Sequence, residues 1–220
     1  MANLSKDQIE YIDNRLKVGG LKYWDLRLEF IDHVVNDIEN KIENGEAFKN
    51  AVHNSLISLG CNGNFKELNR QGWKNTNRDY RKKYHKEFLY FFRKTNNLLL
   101  FLTCFSIYFL LSEKLILKNF IKISYLFMII PILIFLFEAI KVGMKKYGKS
   151  VNLDYGLSYF SLAFIILNGI PRLFSSATEN TQKTIWLILI PIYFVATYSG
   201  YKVFKKAINK VEIMRKELSL

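Results

Sequence analysis

Hydrophobic and polar positions follow two rhythms along this chain. Over roughly the first ninety residues, apolar side chains recur at helical spacing between polar ones; from Asn97 onward they fill long blocks. Ser5 followed by Gln8 is a capping-box pattern. It opens an amphipathic helix with Ile9, Ile12 and Leu16 on one face, and Gly19-Gly20 stops it. A second helix is predicted from about Tyr23 to Asn44, with Leu26, Phe30 or Ile31, Val34, Ile38 and Ile42 on its apolar stripe and Gly45 at its end. A third, from about Glu46 to Leu59, buries Phe48, Val52, Leu56 and Leu59 and ends at Gly60. A fourth begins near Asn64. The segment Gln71–Asn77, with Gly72, Asn75 and Asn77, is the expected hinge ahead of the apolar blocks. No strand pattern appears.

The blocks are Asn97–Leu117, Ile123–Ile140, Tyr155–Leu173 and Ile185–Phe204. Each has the length a helix needs to cross roughly 30 Å of hydrocarbon. They are apolar on every face, which argues against the alternating strands of a membrane barrel and for helices that satisfy their own backbone. The first has the shortest uninterrupted core, Leu98–Leu111, so Glu113 and Lys114 must reach one interface, or Arg93 and Lys94 snorkel at the other. The expected fold is all-α: an integral membrane protein of four transmembrane helices with an N-terminal cytoplasmic helical domain. Its parts are a soluble domain (residues 1–70), a basic juxtamembrane segment (71–96), the transmembrane helices (97–204) and a basic tail helix (205–220).

Charge adds direction. The 220-residue chain carries +13 overall, yet residues 1–70 hold 9 Lys/Arg against 11 Asp/Glu, and the apolar remainder holds 23 against 8. Around the blocks, 17 basic residues fall on one side and 5 on the other. Positive charge stays cytoplasmic, so both termini and the second loop are expected inside an inner membrane. Two cysteines exclude a disulfide scaffold, and Cys61 and Cys104 lack the spacing of a metal or redox pair. No short basic start, apolar stretch and small-residue cleavage site opens the chain.

Candidate chemistry is sparse. Glu29, Asp32, His33 and Asp37 lie four apart or nearly so on the second helix. That spacing suits a divalent metal, but Val34 and Ile38 beside them belong to the buried stripe. The preferred reading is an acidic edge, Glu29, Asp32, His33, Asp37 and Glu39, that meets a cytoplasmic protein or a second copy of the chain. Arg78, Arg81, Lys82, Lys83, Lys86, Arg93 and Lys94 interleave with Tyr80, Tyr84, Phe88 and Tyr90. In a soluble protein this would suggest nucleic acid. Against a membrane it predicts docking on anionic headgroups, with the tyrosines at the interface. The run Lys202–Lys216 reads likewise, as an interfacial helix with Val203, Ala207, Val211 and Met214 on one face. Within the blocks, Glu138 and Asn168 are the polar candidates. Glu138 is expected to pair with Lys141 or Lys145. Ala196, Gly200, Gly156, Ser158 and Ser161 are small enough for close helix packing. No phosphate loop, zinc helix, nucleophile elbow or kinase signature occurs, so neither an enzyme nor a cofactor or metal is expected.

Leu4-Ser5 and Gln8-Ile9, then Leu26, Glu29, Asp32-His33-Val34 and Ile38-Glu39, then Gly45 and Phe48 to Ala51, carry a resemblance. The segment Leu4–Ala51 resembles small bacterial membrane proteins with a helical prefix domain of the HAAS (DUF1700-like) type, which commonly occur beside PadR-like transcription regulators. That resemblance implies a regulatory or sensory role and brings no catalytic residue. The alternative is a small transporter or channel subunit acting as an oligomer, for which Asn168, Glu138, Tyr108 and Tyr198 are the only lining candidates.

Overall fold

The computed structural model describes residues 4–58 and 65–218. Among them every regular element is helical: α1 (Lys6–Val18), α2 (Trp24–Glu43), α3 (Phe48–Ser58), α4 (Lys66–Arg93), α5 (Thr95–Lys114), α6 (Leu117–Met144), α7 (Val151–Leu167), α8 (Ile170–Leu173) and α9 (Glu179–Leu218). The predicted roles of Leu59, Gly60, Cys61 and Asn64 fall outside the described residues. The chain forms two compact units. The first is residues 1–78, 148–152 and 213–220; the second is 79–147 and 153–212.

In the first unit the capping box of α1 is complete. Gln8 N–H donates to Ser5 Oγ at 3.3 Å, and Ser5 N–H to Gln8 Oε1 at 2.8 Å. Ile12, Leu16, Leu26, Ile31, Val34, Ile38, Ala51, Val52 and Leu56 form the core of α1–α3. Ile9 is more than one-third exposed instead of buried, because the stripe of α1 turns to Ile12 and Leu16. Gly19 has a packing reason beyond stopping α1: a Cβ there would lie 1.9 Å from the Phe65 ring. Arg27, nearly buried, joins α1 to α2, donating from Nε to Asp13 at 2.6 Å and from Nη1 to the Leu21 carbonyl at 3.1 Å.

The expected hinge at Gln71–Asn77 is absent, since α4 runs unbroken from Lys66 to Arg93. Gly72 serves close approach: a Cβ there would meet both Leu26 Cδ atoms at 3.1 Å. The chain breaks at Lys94, in extended conformation between α4 and α5.

Among the described residues four helices are long and apolar enough to cross a membrane: Thr95–Lys114, Leu117–Met144, Val151–Leu173 and Glu179–Glu217. The third has a turn at Asn168-Gly169, between α7 and α8. Asn168 is exposed, and its Nδ2 donates to the Phe164 carbonyl one turn back. The core packs Phe120, Met128, Phe160, Phe164, Trp186, Tyr193, Val203 and Phe204. Two glycines bring α9 against α7. A Cβ on Gly200 would stand 2.5 Å from the Tyr159 carbonyl oxygen, and one on Gly156 2.7 Å from Ala207 Cβ. Ser158, by contrast, is exposed and bonds back to the Asp154 carbonyl within α7.

Two expectations about basic runs are corrected here. Tyr80 and Tyr84 are buried in this core, and Tyr84 O–H donates to the Ala196 carbonyl at 3.2 Å. Burial pushes the Tyr84 phenol up to about 12. In the C-terminal run, Val203, Ala207 and Val211 are likewise buried, so the apolar face of α9 packs on protein.

Candidate functional site

The densest polar construction in the first unit centres on Asp25, in the first turn of α2 and fully buried. Five donors converge on its carboxylate. Ser150 Oγ reaches Oδ2 at 2.6 Å, Asn152 Nδ2 at 2.8 Å and Asn152 N–H at 3.0 Å. The N–H groups of Val151 and Leu26 reach Oδ1 at 3.1 Å each. Val151 and Asn152 open α7, so their N–H groups have no partner within that helix. Asp25 therefore supplies both the missing acceptors and a negative charge at the positive end of the helix dipole. A second strand of contact reinforces the clasp, as Trp24 N–H donates to the Lys149 carbonyl at 3.2 Å. Gly148, at φ +76°, turns beside the Trp24 ring, a conformation L side chains rarely adopt.

Periodicity did not single out Asp25, because its neighbours Leu26 and Arg27 sit on the same buried turn and an acid in a first helical turn looks like an ordinary dipole partner. The available signal was Ser150-Val151-Asn152 just before an apolar block, a helix start whose first N–H groups need an acceptor.

The predicted acidic edge is divided by the structure. Glu29, Asp32 and His33 are exposed on α2. Asp37 pairs with Lys41, which also donates to Ser55 Oγ of α3 at 3.0 Å. The hydrogen bond from Lys41, then that from Ser55, holds the Asp37 carboxyl below the usual carboxylate range. Glu39 accepts from the Leu4 N–H at 3.0 Å. Asp37 and Glu39 are thus partly engaged inside the unit. No three His, Cys, Asp or Glu side chains among the described residues converge as metal ligands would.

The basic set on α4 and just after it is a solvated face: Arg78, Arg81, Lys82, Lys86, Arg93 and Lys94 are exposed, and Lys83 is half-buried in an ion pair with Asp79 at 2.6 Å. Glu87 of this helix pairs with Lys206 of α9.

Glu138 takes a partner other than the expected ones. Lys205 Nζ of α9 donates to it at 2.8 Å and its side chain is 10% exposed. Lys141 instead lies over the Phe137 ring at 4.5 Å, and Lys145 bonds Glu212 at 2.6 Å. Tyr147 O–H joins the same Glu212 oxygen at 2.6 Å. Its hydrogen bond to Glu212, and next that with Tyr147, raise the Lys145 pKa; burial, and next Glu212, raise that of Tyr147.

Tyr108 O–H shares a 2.6 Å hydrogen bond with Ser124 Oγ. Asn168, Glu138, Tyr108 and Tyr198 do not gather on one polar cavity. A cavity of about 480 Å³ between α4, α5, α6 and α9 has Phe101, Phe105, Leu111, Phe127 and Phe194 in its walls, and of the four candidates Tyr108 and Tyr198 line it.

Against protein-family models, curated proteins and solved structures the chain finds no match.

Proposed function

We propose that this chain is a multi-pass protein of the cytoplasmic membrane whose N-terminal helical unit, on the cytoplasmic side with both termini, is a regulatory or sensory protein-interaction module. The observation that carries the reading is the Asp25 clasp. Through it Val151 and Asn152, which open α7, a helix apolar enough to cross a bilayer, are part of the same compact unit as α1–α3. A change in the tilt of α7 within lipid reaches the acidic edge of α2 through the hydrogen bonds of this clasp. The 17-to-5 distribution of basic residues supports the orientation, and the resemblance of Leu4–Ala51 to HAAS-type prefix domains supports the regulatory role. Transport has less support, because Asn168 bonds within its own helix and Glu138 bonds an ion-pair partner.

The test is crosslinking and affinity capture of the full-length chain from native membranes, with Glu29→Lys and Asp32→Lys as charge reversals on the exposed edge. The reading expects one soluble protein, or a second copy, recovered with the native chain and lost with the reversals. Recovery of neither, or recovery indifferent to both reversals, overturns it.

A further inference from the structure

The cavity between α4, α5, α6 and α9 has a shape and a charge setting that point to one occupant. Its lining runs along α5 from Asn97 to Leu111, fourteen residues further on. At 1.5 Å per residue that is about 21 Å, longer than the roughly 15 Å of hydrocarbon in one leaflet and within the full thickness of roughly 30 Å. Its volume, about 480 Å³, falls in the range of built ligand clefts. The walls are almost wholly apolar, and Leu100 and Cys104, both exposed, leave one side open. Pro191 lines the opposite wall in α9. It cannot donate to the helical ladder, and its ring keeps neighbouring backbone from closing on it.

The two ends of the cavity differ. Phe91, Asn97 and Tyr198 line one end, with the Phe91 and Tyr198 rings 5.5 Å apart. Arg93 and Lys94, both exposed, lie in the chain between Phe91 and Asn97. Lys202 Nζ sits over the Tyr198 ring at 5.5 Å, so a third cation stands on a residue of the lining. Glu113, the acidic residue of α5, is at the other end of that helix beyond Leu111, next to Lys114, so that end carries one charge of each sign.

We propose that this cavity binds an anionic glycerophospholipid, with one acyl chain along α5 and the phosphate against Arg93, Lys94 and Lys202. The chain-length cleft recognises the tail, and the three cations distinguish an anionic headgroup from a zwitterionic one. The proposal rests on the four long helices being membrane spans. It does not rest on the regulatory role of the first unit.

The experiment uses the full-length chain in nanodiscs of equal phosphatidylglycerol and phosphatidylcholine, each in turn carrying a photoactivatable acyl chain, with the crosslinked peptides read by mass spectrometry. The expected result is crosslinking within residues 97–111 and 190–198, stronger for phosphatidylglycerol. Lys202→Ala and Lys94→Ala should each lower the phosphatidylglycerol yield about fivefold, the equivalent of about 1 kcal/mol per basic residue near anionic lipid, and leave phosphatidylcholine unchanged. Cys104→Trp fills the cavity and should lower both yields, whereas Ile140→Trp, on the exposed face of α6, should lower neither. The two lysine variants leave the packed core untouched, so they decide the matter even if Cys104→Trp misfolds. Equal yields for the two lipids in the native chain, or no response to the lysine variants, overturns the proposal. A chain that fails to enter nanodiscs at all overturns the membrane reading instead.

Discussion

Asp25 and Gly200 illustrate how much rests on single positions. An ionised aspartate is purely an acceptor, and Asp25 meets five donors with two oxygens in a site closed to water. Removing the carboxylate takes a buried acceptor from the Ser150 hydroxyl and from the first N–H groups of α7. Asp25→Ala should therefore cost about 2–3 kcal/mol, as expected when buried donors lose a charged acceptor. The damage should be local. Amide hydrogen exchange at Val151 and Asn152 should speed up well beyond that in α5, and Asp25→Asn, which keeps one acceptor oxygen, should fall between. Exchange at those amides unchanged in Asp25→Ala would mean that the clasp does not hold them. Gly200 matters for the opposite reason, the lack of an atom. Its absent Cβ would fall 2.5 Å from a carbonyl oxygen and 2.8 Å from the Phe160 Cα, both backbone.

At the scale of elements, that crowding becomes a prediction about how α7 and α9 pack. In Gly200→Ala, better helix propensity contributes about 1 kcal/mol in favour, while overpacking costs about 1–3 kcal/mol. Because backbone on α7 must move, the cost should win, and unfolding in a detergent–denaturant titration should shift to lower denaturant. Gly143→Ala, in open space at the end of α6, should shift it the other way. Equal shifts for both would contradict the close approach of the two helices. The elements also explain which parts of the fold were legible in the sequence. The capping box of α1, the bounds of α2 and the four apolar helices could be read because each depends on a local pattern or a length. The hinge expected at Gln71–Asn77 could not, because Gly72 and the asparagines look alike whether they loosen a helix or admit Leu26 against it. The tyrosines of α4 mislead similarly. Their ring chemistry suits a headgroup layer, yet Tyr80 and Tyr84 satisfy a protein core. Partners distant in sequence, such as Asp25 with Ser150 or Glu138 with Lys205, leave no mark in local spacing.

Over the whole molecule, the apolar helices and the biased basic residues support one arrangement, in which lipid surrounds the second unit and the lysine- and arginine-rich ends face the cytoplasm. The regulatory reading and the lipid site both depend on it. Single cysteines placed in a background with Cys61 and Cys104 replaced by serine, and challenged in intact cells with a maleimide that cannot cross the membrane, test it directly. The account predicts labelling at Lys118→Cys and Ser175→Cys, and protection at Lys146→Cys and Leu220→Cys until the membrane is opened. Labelling of Lys146→Cys or Leu220→Cys from outside, or recovery of the chain in solution without detergent, would contradict it.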